Sequence, residues 1–206
     1  MWFVAIPTLL SVHSLVHHTF MNAFVPMYQA FDTYTKHCWT GRATSLAVQV
    51  VVLPLAAIFG AHDVSMHVLG MYILTDMAHL IQYDHDPMTW VHHIGTFIAY
   101  LATFYVDAPT LQSMMVGTMI LEWTSPWIHL CWFANKAGLA SRPWFYYLSG
   151  FTVINYALVR CMFFPYYMLA YAPEVMWPAG IFFTLLNWMW LIQLVGYAKA
   201  LNTKAK

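Results

Sequence analysis

Long apolar stretches separated by short joints dominate the chain. They fall at about 2–29, 41–60, 65–82, 88–106, 110–135, 142–171 and 176–199. Each is long enough to cross about 30 Å of hydrocarbon as an α-helix rising about 1.5 Å per residue. The joints carry turn-formers or charge: Asp32 to Lys36, Gly60-Ala61-His62-Asp63, Asp84-His85-Asp86-Pro87, Asp107-Ala108-Pro109, Asn135 to Pro143 and Ala172-Pro173-Glu174. The pattern predicts an all-α, polytopic membrane protein of about seven transmembrane helices. Short loops favour an up-down bundle of sequential neighbours. Pro54, Pro126 and Pro165 fall inside segments and are expected to bend them.

Composition agrees. The 206 residues are 61% hydrophobic and 8% charged, where a soluble domain carries about 25% charged residues. Tryptophans near segment ends (Trp2, Trp39, Trp90, Trp132, Trp144 and Trp177) read as membrane-interface anchors. Seven crossings put Lys36, Arg42, Lys136, Arg142, Lys199, Lys204 and Lys206 on one side and Asp63, Asp107 and Glu174 on the other. The positive-inside rule then sets the N-terminus outside and the C-terminus on the cytoplasmic or matrix side. No positive residue precedes the first apolar run, so no cleaved signal peptide is expected. Net charge is zero and no basic run occurs, which argues against nucleic acid as a partner. Cys38, Cys131 and Cys161 are scattered, with no CxxC, and suggest neither a disulfide framework nor a zinc site.

The ionisable groups at membrane depth carry the candidate chemistry, because charge there is costly and usually functional. His92 and His93 are adjacent, about 100° apart on a helix, so they cannot face one partner. Asp76 and His79 sit about a turn apart on the third segment. Glu122, Ser125 and His129 follow one another on the fifth, and Arg160 lies inside the sixth. The economical arrangement is one internal cavity, open to the cytoplasmic side, where Asp76, Glu122 and the histidines meet.

Three readings of these groups compete. In the first, His92 or His93 is a general base or nucleophile and Asp76 or Glu122 orients its imidazole, which suits acyl transfer from a thioester to an amine or hydroxyl. In the second, His13-xxx-His17-His18 is a metal-binding box; the chain lacks the further boxes such a site needs, and no metal is assigned. In the third, the polar side chains only hydrogen-bond between helices. His79, His13, His17 and His18 fit that role best, and Arg160 reads as a counter-ion to Glu122 or to a lipid headgroup. His37, His62, His67 and His85 are expected in or near loops.

At these residues the chain resembles the TLC-domain family, the lipid-handling membrane domain of ceramide synthases and their smaller relatives. Trp39-xx-Arg42-xx-Ser45 resembles its opening motif, and Gly70 to Asp76 its glycine-to-aspartate helix. His92-His93 falls where its paired histidines do. Glu122-Trp123-Thr124-Ser125-Pro126 and Arg160-Cys161-Met162-Phe163-Phe164-Pro165-Tyr166-Tyr167 resemble stretches of the smaller members. Two features depart from the pattern. Val48, beside Gln49, stands near the place of a family histidine, and the H-D then S-D pattern of ceramide synthases is absent.

The resemblance covers about 38–206 and leaves 1–37 as an extra helix and loop. It implies six helices in a TLC-like bundle around a lipid-sized cavity, with His92, His93 and Asp76 at its mouth as the catalytic set. Glu122, Ser125, His79, Arg160 and His129 would line that cavity. The expected function is lipid binding with acyl transfer or lipid remodelling. Acyl-CoA would enter as a substrate, and no resident cofactor is expected. The alternative is a non-catalytic subunit, or lipid-filled scaffold, held among other membrane subunits. Family analogy points to the endoplasmic reticulum; an organellar inner membrane fits the charge pattern equally well.

Overall fold

The structure is a computed structural model. It describes the backbone of residues 2–52, 54, 58–59, 62–83 and 87–204, with side chains for these except 2–10, 12–13, 51–52, 62–63, 79–80, 82–83 and 201–204. The described residues are helical, with no strand among them. They divide into two compact units, Met1–Val106 and Asp107–Lys206.

The first unit opens with α1 (Trp2–Phe24) and a single turn, Pro26–Gln29. Helix α2 (Thr33–Ala47) runs into a wider π-helical stretch, Val48–Val52. Helices α3 (His62–Tyr83) and α4 (Pro87–Ala102) follow, the last closing in a 3-10 turn, Thr103–Tyr105. Helix α1 packs on α2 and α3, and α3 packs on α4. Helix α2 begins eight residues before the expected apolar segment because Asp32 caps it, accepting from the Thr35 N–H at 2.7 Å and the Thr35 hydroxyl at 3.0 Å. Lys36 and His37 are therefore helical residues rather than loop residues.

Tyr28, fully buried, ties α1 to α2. Its hydroxyl has one hydrogen, given to the Lys36 carbonyl at 3.2 Å, so Thr40 at 3.1 Å and the His18 Nδ1–H at 2.7 Å donate to it. His18 thus acts as an interhelical hydrogen-bonder. The side chain of His13 lies outside the described residues, as do most residues around Pro54.

The second unit contains α5 (Ala108–Glu122), α6 (Ser125–Lys136), α7 (Pro143–Tyr156), a π-helical stretch Ala157–Phe163, α8 (Phe164–Ala170), a 3-10 turn Glu174–Met176 and α9 (Trp177–Lys204). Helix α6 packs on α7, α7 on α9, and α8 on both α5 and α9. Pro126 divides the expected fifth segment in two. It lacks an N–H, and its ring would strike the Glu122 carbonyl of a continuous helix. Pro165 acts differently: the turn before it widens, with the Phe164 N–H reaching back to the Val159 carbonyl. The helix continues through, and Pro143–Ala170 and Glu174–Ala200 are each long and apolar enough to cross a membrane by length and composition.

Two caps in this unit give direct predictions. Gly138, φ +72°, ends α6 in a Schellman motif: its N–H bonds the Asn135 carbonyl, and the Leu139 N–H bonds that of Ala134 at 2.9 Å. A Cβ there meets nothing within 4 Å, so the cost of Gly138→Ala is backbone strain alone. The expected loss is about 1 kcal/mol, read as a fall of roughly 2–4 °C in melting temperature.

Asp107 caps α5, and the Thr110 hydroxyl and N–H hold its carboxyl below the usual range. A depressed carboxyl pKa stabilises the fold above the unfolded value, and that contribution is lost as pH falls through the folded value. Protection of the Thr110 amide against hydrogen exchange should therefore fall below roughly pH 4. Asp107→Asn should remove that acid dependence.

Candidate functional site

Helices α3 and α4 pack antiparallel, and their register brings Asp76 to His93. Gly70 permits the approach. Any Cβ at position 70 would run into the ring of Tyr100, which is only 2% exposed. Gly70 precedes Asp76 by six residues and Tyr100 follows His93 by seven, as an antiparallel pair requires.

His93 is held at both nitrogens. Its Nδ1 lies 2.8 Å from the Thr89 carbonyl, which can only accept, so Nδ1 carries hydrogen. Its Nε2 lies 2.5 Å from Asp76 Oδ2. Two lone pairs cannot meet at that distance, so a proton lies between them. The pair is either imidazolium with carboxylate or imidazole with carboxylic acid, and in both forms it is neutral overall. The side chains are 13% and 21% exposed, low enough for that neutrality to matter. The Arg42 guanidinium adds an electrostatic attraction to Asp76.

Asp76 also opens onto a small polar recess, about 10 Å³ in volume, lined by Ser14, Gly41, Thr44, Tyr72, Thr75 and Asp76. Asp76 Oδ1 lies 4.0 Å from where a Cβ on Gly41 would stand, so the glycine keeps this oxygen uncovered. Ser14 and Thr44 share a hydrogen bond of 3.0 Å, and the Thr75 hydroxyl donates to the Met71 carbonyl. The ring of His92 meets that of His93 edge-on, 5.2 Å between centroids.

The other sequence candidates lie in the second unit or outside the described side chains. Ser125 and Arg160 are brought together there, 2.7 Å from Oγ to a guanidinium nitrogen. Glu122 ends α5 and His129 lies a turn beyond Ser125 on α6, both half-buried. The three hydrogen bonds of Arg160 go to uncharged side chains and not to Glu122. The side chain of His79 lies outside the described residues.

A family model described as the TLC domain matches residues 10–199. The chain belongs to the TLC-domain family. The TLC match takes in most of α1 as well as every residue described above, and makes the chain a membrane protein with a lipid-related role. No curated protein and no solved structure matches the chain.

Several residues beside these candidates escape the sequence patterns. Gly41, Thr44 and Ser14 reach the recess through packing of α1 on α2, which no motif encodes. Arg42 was legible as part of Trp39-xx-Arg42-xx-Ser45, but its attraction to Asp76 follows from α2 crossing α3. Asn187 in the second unit had a signal: with Gln193 it is one of two amides in a largely apolar stretch, where an unpartnered polar group is costly.

Proposed function

We propose that this TLC-domain protein crosses the membrane seven times, binds an acyl-bearing lipid, and transfers the acyl group from a thioester such as acyl-CoA to an amine or hydroxyl at the Asp76–His93 pair. The short hydrogen bond between Asp76 and His93, beside a polar recess, carries this reading. Both nitrogens of His93 are engaged, which shifts the roles from the simplest histidine-base scheme. Asp76 faces the substrate through Oδ1, His93 positions it and shares its proton, and His92 steadies the ring of His93.

In this scheme the incoming nucleophile gives its proton to Asp76 Oδ1 as its oxygen or nitrogen bonds to the acyl carbon. The proton shared at Oδ2 and Nε2 balances the charge. When the C–S bond breaks, the pair returns a proton to the thiolate, ending as it began. Such acid–base help is worth about 10²–10⁴-fold in rate.

The N-terminus is assigned to the outer side and the C-terminus to the cytoplasmic or matrix side, with the endoplasmic reticulum as the membrane suggested by family analogy. The test reconstitutes the full chain in vesicles made from its host membrane lipids, with acyl-CoA carrying a labelled acyl chain. Label should move into lipid with wild-type protein at a rate well above protein-free vesicles. No transfer under any lipid composition of the host membrane would reject the enzyme and favour a lipid-filled scaffold.

A further inference from the structure

The second unit buries a full positive charge that no carboxylate among the described residues meets. Arg160, 4% exposed, sits in the π-helical stretch Ala157–Phe163. Its Nε donates to Thr124 Oγ1 at 2.6 Å, and its terminal nitrogens to Ser125 Oγ at 2.7 Å and Asn187 Oδ1 at 3.5 Å. The Tyr156 ring lies 5.2 Å from the guanidinium carbon. All four partners are uncharged, and no ion pair among the described residues includes Arg160. A buried guanidinium without an anion is costly in any low-dielectric site.

Donors also outnumber acceptors around it. A guanidinium has five N–H groups; the three hydrogen bonds above and one directed at the Tyr156 hydroxyl leave one uncommitted. Asn187 Oδ1 takes Arg160 and the Tyr156 O–H, at 3.2 Å, which fixes the orientation of the amide. Its Nδ2 is then a buried donor with no acceptor, on a side chain 2% exposed. Ser125 accepts from Arg160 and keeps its own hydrogen to give. Ser125 is also the first residue of α6, a 12-residue helix, so the positive end of that helix adds to the guanidinium.

We propose that the Arg160, Asn187 and Ser125 cluster binds one monoanionic oxyanion head of a lipid, a carboxylate or a phosphodiester. One buried positive charge balances one negative charge; a phosphomonoester dianion would leave a charge unmet. The other described basic side chains of this unit, Lys136, Arg142 and Lys199, are exposed and supply no second buried charge. The site stands on the second unit alone and does not depend on the acyl-transfer reading.

The test is a native mass spectrometric titration of the full chain in neutral detergent, with four probes: oleate, dioleoyl phosphatidylglycerol, methyl oleate and chloride. Wild-type protein should bind one oleate or one phosphatidylglycerol saturably and show no comparable binding of methyl oleate. Which of the two binds names the source of the oxyanion. Asn187→Asp places a fixed carboxylate beside Arg160, so it should weaken binding about tenfold or more and leave the melting temperature equal or higher. Arg160→Gln should also lose binding; if it fails to fold, Asn187→Asp decides alone. Binding of neither lipid, binding of chloride only, equal binding of methyl oleate, or undiminished binding in Asn187→Asp would each overturn the proposal.

Discussion

Asp76→Asn is expected to slow the proposed acyl transfer about 10²–10⁴-fold while the melting temperature stays within a few degrees. The amide can still donate to His93 Nε2 across the 2.5 Å contact, relaxed slightly, and His93 keeps its Nδ1 bond to Thr89. What it cannot do is take or return a proton. His93→Ala should behave in the opposite way for stability. It leaves the Asp76 carboxylate, 21% exposed, without its partner. Breaking a buried pair from one side costs about 3 kcal/mol, or roughly 10 °C in a chain of this size. The double variant Asp76→Asn, His93→Ala should recover most of that loss and remain inactive, because it removes the stranded charge but not the defect. Thermal melts and the vesicle transfer assay on the three variants separate positioning from stability. Full transfer activity in Asp76→Asn would remove Asp76 from the chemistry.

Gly70→Ala is expected to be the most disruptive single methyl in the first unit. The added carbon would collide with the Tyr100 ring, whose own side chain is buried between α3 and α4 and touches His67 and Phe104 edge-on. The ring has no open side to move to. Overpacking of this kind costs about 1–3 kcal/mol, and spreading α3 from α4 also stretches the Asp76–His93 contact less than two helical turns away. A shift of about 1 Å there would lower transfer about 10²-fold. Tyr100→Leu in the same chain should relieve the collision, so the double variant should be more stable than the two single losses added together, by about 1 kcal/mol. Additive losses would mean that the close approach at Gly70 does not set the spacing of the two helices.

These residues also show how far the sequence could be read. The helical segments were legible because the bilayer-length apolar pattern and the punctuating Pro, Gly and Asp residues are local signals. The start of α2 was not: Asp32 and Thr35 form a cap, while Lys36, His37 and Thr40 interrupt the approach to the apolar run, so hydropathy missed two turns of helix. Pro126 and Pro165 were both legible as disturbances, yet one breaks its helix and the other widens it, because the outcome depends on what satisfies the neighbouring carbonyls. Asp76 and the His92-His93 pair stood out as costly groups in an apolar setting. That His93, and not His92, meets Asp76 depends on the helix phase fixed by Gly70 against Tyr100, a long-range contact. The same holds for Arg160: its burial was expected, but its neutral partners Thr124, in the turn between α5 and α6, and Asn187, on α9, are brought to it only by packing.

One proton is shared between Asp76 and His93 at the edge of the recess. The most direct measurement is a solid-state NMR spectrum of the full chain in lipid bilayers, with ¹⁵N-histidine and ¹³C-aspartate labels, compared with Asp76→Asn. A shared proton should give a strongly downfield signal correlated with both His93 Nε2 and the Asp76 carboxyl carbon, together with a protonated Nδ1, and that signal should be lost in the variant. A free-imine Nε2 in the wild-type protein, unchanged by Asp76→Asn, would contradict it.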